Sequence, residues 1–376
     1  MGPWLLRLWR SLWRIGWPDD ERSAVKAMLA SIALHVHAPK IRPDSLRFAA
    51  SWTLGLLSLV LALLLTATGI YLMFYYVPHP DAAWRSMQDL AFVVPFGVVT
   101  RNAHRWAAHA MVAIVTLHML RVFLVGGYKP PREANWVAGV GLWFLTLALS
   151  FTGYLLPWDQ LAFWAVTVGA NMAAAIPAIG DDFRTLILGD RTVGEAALLR
   201  FYVLHCVLLP AVLFAIVGFH LFRVRKDGGL VWSEKRPYDK LIPAWPHLVY
   251  RELIVTLLLT AVLLSLSLWF NAPLEPEANP ARTPNPAKAP WYFLGVQELA
   301  HWSAFWGGVF VPAATVAGLC LLPYVDTRQD GVGRYFARER RLATALFLLL
   351  LLFMTVTTVV GTFFRGPAWA LQWWPP

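Results

Sequence analysis

RNAHRWAAHAMVAIVTLHMLRVFLVGG at 101–127 and RFYVLHCVLLPAVLFAIVGFHLFRVRK at 200–226 decide the fold. Each contains an apolar run long enough to cross a bilayer core of roughly 30 Å, which takes about 20 helical residues. Each also carries two histidines: His104 and His118, 14 positions apart, and His205 and His220, 15 apart. At about 1.5 Å of rise per residue these steps are roughly 21 to 22 Å. At about 100° per residue, 14 positions return to within about 40° of the starting face and 15 to within about 60°. Each helix therefore presents two imidazoles on one side, one near each membrane leaflet. Ionisable groups at such depths are expensive and are usually retained for function.

Two such helices set face to face offer two stacked bis-imidazole sites. Haem iron with two axial histidines fits that arrangement, because the macrocycle wants apolar walls and the propionates want water. One histidine pair alone would be a weak sign, since polar or interfacial histidines occur in membranes. Two pairs at matching depth are a strong one. Gly55 and Gly69 are 14 apart, as are Gly139 and Gly153. Either glycine pair alone reads as small-residue helix packing. Matched to the histidine spacing, both read as slots where a flat macrocycle lies against backbone. Arg101, Arg105 and Arg121 flank the histidines, placed to anchor at the interface or to pair with propionates.

Outward from these two segments, nearly charge-free runs cover 50–76, 104–126, 136–157, 201–222, 253–270, 304–324 and 342–364. In hydrocarbon every backbone donor and acceptor needs an internal partner, so the runs are helices. The expected fold class is an all-α membrane protein of about seven transmembrane helices. Residues 1–49 are expected to be a cytoplasmic amphipathic segment and 50–222 a four-helix di-haem bundle. Residues 223–252 then form a cytoplasmic linker, and 253–376 a three-helix C-terminal part.

The net charge of +10 is topological. With the N-terminus in the cytoplasm, the segments 1–50, 121–135, 221–252 and 324–341 hold 23 of the 32 Lys and Arg residues. That positive-inside bias argues against a nucleic-acid partner. The first 17 residues lack the unbroken apolar core and cleavage site of a signal peptide. Arg7, Arg10 and Arg14 instead suggest a helix lying on the membrane surface. Cys206 and Cys320 both fall inside spans and build no disulfide framework or thiolate metal site, and CxxCH is absent. Between the fifth and sixth spans, six prolines from Pro273 to Pro290 forbid a continuous helix and require an outer loop. Residues 165–199 read as short helices lying along the outer face.

The 101–133 run, WVAGVGLWFLTLALSFTGYLLPWDQLAFWAV (136–166) and the 200–228 run resemble the cytochrome b subunit of bc-type quinol:cytochrome c oxidoreductases. The 15-residue step from His205 to His220 resembles the chloroplast-type branch. PAWP at 243–246 and PWYF at 290–293 resemble that branch's separate second subunit, here fused to the first. The resemblance covers nearly the whole chain from about residue 20.

It implies two non-covalent b-type haems, the outer on His104 and His205 and the inner on His118 and His220. It implies an outer quinol-oxidising site at Tyr154, Trp158, Trp291 and Tyr292, and an inner quinone site near Arg225, Lys226 and Asp227. A Rieske iron–sulfur protein and a c-type cytochrome are the implied protein partners, in a homodimeric complex of a bacterial inner membrane. The implied activity is quinol oxidation outside, electron passage through two haems to an inner quinone, and proton translocation.

Two positions depart from the family pattern. The glutamate of the PEWY motif is replaced by Pro290, leaving Glu298 as a substitute base or a helix-end carboxylate. A non-acidic residue there resembles bacterial relatives that use menaquinol. The cysteine that attaches a further haem in chloroplast-type relatives is Thr53, so no covalent third haem is expected. The competing reading is a di-haem b anchor relaying electrons between a dehydrogenase or hydrogenase and quinone. Such an anchor has no need of the proline-rich loop and PWYF. A haem-free transporter would leave the four histidines and two glycine pairs without a purpose.

Overall fold

A computed structural model describes residues 3, 18–31, 34, 37–229 and 241–373. The surface helix expected at the extreme N-terminus, and much of the linker, lie outside the described residues. Among the described residues, seven helices are long and apolar enough to cross a membrane: α2 (Leu54–Met73), α4 (Gly97–Leu124), α5 (Glu133–Leu155), α8 (Glu195–Lys226), α9 (His247–Trp269), α11 (Trp306–Val325) and α12 (Arg338–Phe363). They match the seven expected runs in order, and the chain is a multi-pass membrane protein. Between them lie α1 (Glu21–Ala30), α3 (Pro80–Phe92), α6 (Gln160–Ala174), α7 (Gly180–Leu188) and α10 (Trp291–Trp302).

The spans stay helical because their polar groups are used internally. Ser58, Thr66, Thr116, Thr146, Thr260 and Thr315 each donate a hydroxyl to the carbonyl four residues earlier. In lipid this removes the cost of an unpaired hydroxyl. α2 packs along α4 and α5 along α8, and α9 closes the other flank of α4. α12 rests against α10, and α11 against α5.

Two ends of the molecule are fastened separately. On the expected cytoplasmic side, β1 (Lys40–Ile41) pairs antiparallel with β2 (Ile242–Pro243). Nearby, Lys129 Nζ reaches Asp326 Oδ1 at 2.7 Å, and Arg340 donates to the Phe123 and Leu124 carbonyls at 3.1 and 2.7 Å. On the expected outer side the proline-rich loop is held by α4. Buried Asn102 donates to the Ser267 carbonyl at 2.9 Å and accepts from the Ala272 amide at 2.8 Å.

Two elements were illegible to hydropathy. α3 carries Arg85, Asp81 and Asp89 on an exposed face, and α10 follows Pro290 where the loop was expected to continue. Proline is favoured just before or at the first turn of a helix, so PWYF is the start of α10 rather than the end of a loop.

Candidate functional site

The four histidines come together in two pairs. The ring centres of His104 and His205 are 6.1 Å apart, and those of His118 and His220 are 6.4 Å apart. A metal–imidazole bond is about 2.0–2.1 Å, so with roughly 1 Å more from nitrogen to ring centre, two rings flanking one metal sit about 6 Å apart. The spacing fits a metal held axially between two imidazoles at both depths.

The unequal steps along the two helices are reconciled by a wide turn. Residues Leu204–Leu208 form a π-turn in which the Leu209 amide bonds to the Leu204 carbonyl, five residues back. Pro210 lies two positions beyond. A proline has no amide for the carbonyl four residues earlier and its ring crowds that carbonyl, here of Cys206. Opening the preceding turn relieves both problems and absorbs one residue. Fifteen steps on α8 therefore end where fourteen end on α4. Trp306–Phe310 repeats the device ahead of Pro312.

The glycines seat the imidazoles. An added Cβ would lie 3.3 Å from His118 at Gly55, 3.3 Å from His104 at Gly69, 3.6 Å from His220 at Gly139 and 2.5 Å from His205 at Gly153. The 14-residue repeat on α2 and α5 exists because the histidine repeat on their neighbours does. Sequence reading assigned these gaps to the macrocycle, and the structure adds the imidazole edge as their occupant.

Hydrogen bonds fix the outer rings. Thr68 gives its hydroxyl proton to the Leu64 carbonyl at 2.7 Å, so it accepts from His104 Nδ1 at 2.9 Å. His205 Nδ1 donates to the Leu149 carbonyl at 3.0 Å, with Thr152 Oγ1 at 3.4 Å. With Nδ1 protonated, Nε2 carries the lone pair for a metal. In the inner pair, neither His118 Nδ1 nor His220 Nδ1 has a hydrogen bond of ordinary geometry, although the Asn135 backbone faces His220.

The sequence matches two family profiles, cytochrome b(N-terminal)/b6/petB over residues 109–286 and cytochrome b(C-terminal)/b6/petD over 277–371. Cytochrome b6 of Heliomicrobium gestii is 45% identical over 175 residues, 46% of this chain and 82% of that protein. The chain belongs to the cytochrome b/b6 family. The menaquinol:cytochrome c reductase cytochrome b subunit of Bacillus subtilis is 40% identical over 210 residues, 56% of this chain and 94% of that protein. A solved hyperthermophilic respiratory Complex III chain superposes with a TM-score of 0.76 at 28% identity, covering 93% of this chain and 91% of that one.

Around the outer pair, a cavity in this cytochrome b/b6 fold is lined by His104, His205, Arg105, Tyr154, Asp159 and Tyr292, among apolar side chains. The Arg105 guanidinium lies 4.9 Å over the Tyr154 ring. Arg101 also faces the cavity, but two of its N–H groups hold the Ala272 and Pro273 carbonyls at 2.9 and 2.8 Å. Arg121 donates to the Ala50 carbonyl near the inner pair. Trp291 sits apart from the cavity wall, donating its indole N–H to His109 Nδ1 at 2.9 Å. His109 escaped sequence reading because five residues from His104 is about 140° around the helix.

Two expected quinol-site residues have other duties. Trp158 is buried against Phe163, and its carbonyl accepts from the Ala278 amide at 3.1 Å. Glu298, read either as a substitute base or as a helix-end carboxylate, is heavily engaged. Its two oxygens receive Arg365 Nε at 2.9 Å and Nη2 at 2.5 Å, Trp302 Nε1 at 3.1 Å and Trp369 Nε1 at 2.9 Å. Burial raises its pKa, but these donors outweigh it and hold the carboxyl below the ordinary glutamate range. A carboxylate with four donors bolts α10 to the segment that follows α12.

At the inner end, Arg132 donates to the Asp227 carbonyl at 2.9 Å, and the Asp227 carboxylate faces Arg223 at 3.1 Å. Lys226 lies 5.8 Å over the Phe222 ring, and Arg225 continues the basic end of α8.

Proposed function

We propose that the chain is the di-haem subunit of a quinol:cytochrome c oxidoreductase, taking electrons from menaquinol on its outer side. The carrying observation is the pair of ring separations, 6.1 and 6.4 Å, on one helix pair at two depths. His104 with His205 holds the outer haem and His118 with His220 the inner one. When bound, the haems supply one-electron redox chemistry at those two depths. Gly55, Gly69, Gly139 and Gly153 let the four helices close on the rings. Thr68 and the Leu149 carbonyl hold the outer imidazoles in the tautomer that donates through Nε2.

Beside the space that His104 and His205 give to the outer haem, Tyr154, Tyr292 and Arg105 offer hydroxyl and cationic contacts for quinol oxygens. At the inner end, Arg225, Lys226 and Asp227 border the second quinone site. The menaquinol reading draws on the Bacillus subtilis relative's name and on Pro290 in place of an acidic residue. A Rieske iron–sulfur protein and a c-type cytochrome complete the electron path in a homodimeric complex of a bacterial inner membrane. Protons leave outside and enter from the cytoplasm, where the N-terminus lies.

A redox titration of the purified chain, with pyridine haemochrome quantification, tests this. Two b haems per chain at separated potentials are expected. One haem or none would overturn the pairing of α4 with α8.

A further inference from the structure

The loop between α9 and α10 is tied to α4 at both ends. At its start, Arg101 holds the Ala272 and Pro273 carbonyls, and Asn102 holds the Ser267 carbonyl and the Ala272 amide. Trp106 adds its indole N–H to the Phe270 carbonyl at 2.8 Å. At the loop's end is His109, whose Nδ1 accepts the Trp291 indole N–H at 2.9 Å. Asn102, Trp106 and His109 follow one another at steps of four and three, so they share one face of α4. At about 100° per residue that face is roughly opposite the one that carries His104 and His118. One helix therefore presents the haem ligands on one side and the loop's fastenings on the other.

α10 itself packs on α12 and on the Trp306–Phe310 turn. Among the described residues, Trp291 with His109 is the one side-chain hydrogen bond between α10 and α4. The His109 ring also meets the Tyr292 ring edge-on, with centres 5.7 Å apart, and the Trp106 ring at 5.8 Å. The imidazole thus touches both residues that open α10, whose first turn has no side-chain cap. Tyr292 in turn faces the space beside the outer histidine pair. An imidazole that accepts at Nδ1 carries its one proton on Nε2. His104 and His205 hold the opposite tautomer, with Nδ1 donating. His109 is committed to Trp291 rather than poised as a further metal ligand.

We infer that His109 is a positioning residue of the quinol-oxidising site. By holding the Trp291 indole and flanking Tyr292, it sets where the first turn of α10 lies against α4. In the low dielectric of the bilayer such a bond is stronger than in water, so one acceptor is enough to fix the segment. This inference rests on the reading of the α10 start as part of the quinol-oxidising site.

The test uses the intact complex with a menaquinol analogue. His109→Leu removes the acceptor, and KM is expected to rise about 3- to 10-fold, the range of one lost hydrogen bond. kcat should stay near the parent value, because a displaced binding segment loses contacts common to ground and transition states. Both haem spectra should be unchanged. His109→Asn, which puts Oδ1 close to the place of Nδ1, should recover most of the affinity. Trp291→Phe should raise KM by a similar factor, and adding His109→Leu to it should raise KM no further. Parent-like KM in His109→Leu, or equal losses in His109→Leu and His109→Asn, would overturn the inference. Multiplying effects in the double variant, or a haem lost from His109→Leu, would do the same. If the parent complex itself oxidises no quinol, the reading of the site fails instead.

Discussion

The outer and inner histidine pairs have nearly the same ring separation but are built differently. Both outer rings are fixed by hydrogen bonds, His104 to Thr68 and His205 to Leu149, and His205 sits on a π-turn against Gly153. The inner rings have no such bond of ordinary geometry and lie on regular helix, and neither of their glycines, at 3.3 and 3.6 Å, approaches as closely as Gly153. The outer site is thus specified by several local devices and the inner one mainly by helix packing. A change in one outer device should therefore be felt at one haem only.

The largest effect comes from deleting one residue. Removing Val207 from the π-turn leaves an ordinary α-helical turn, and both haems should be retained in a haemochrome assay. Removing Val212 from the regular part of α8 rotates one histidine by about 100° relative to the other. At least one haem should then be lost. Equal outcomes for the two deletions would break the account of the wide turn.

Gly153→Ala comes next. Its new methyl would lie 2.5 Å from His205, and overpacking of this kind costs about 1–3 kcal/mol. Outer haem occupancy should fall while the inner haem persists, read as a missing low-temperature α-band. Gly139→Ala meets His220 only at 3.6 Å, and near-parent occupancy of both sites is expected. Loss of the inner haem there would show that the two glycine seats are equally tight.

Thr68→Val removes the hydrogen-bond partner of His104 while keeping its shape. Orienting groups of this kind change metal affinity by roughly 10–100-fold. Outer haem retention under dialysis should weaken and its potential shift, with the inner potential unmoved. The smallest effect is expected of Glu298→Gln. It loses the charge partner of Arg365, so thermal stability should drop while the pH profile of quinol oxidation keeps its shape.

The fold was legible because hydropathy and positive-inside charge speak directly to a bilayer. The histidine and glycine repeats were legible because vertical spacing survives in the primary sequence. The 15-residue step could be counted in the sequence, but the π-turn ahead of Pro210 that makes it equivalent to fourteen could not. Glu298 stayed open between a base and a helix-end carboxylate because its partner Arg365 lies 67 residues away, beyond the reach of local pattern. α3 and α10 lie along the surface, where neither long apolar runs nor charge bias marks them.

The fastening of the two ends has a consequence for how such a protein can be encoded. β1 with β2 on one side, and Asn102 with Ser267 and Ala272 on the other, join the first four spans to the last three without help from the peptide bonds between Gly229 and Leu241. The Heliomicrobium gestii relative aligns with only 46% of this chain yet over 82% of its own length. One reading frame or two is then a matter of gene arrangement. Translated as separate polypeptides, 1–229 and 241–376 would still find each other in the bilayer and assemble as one body.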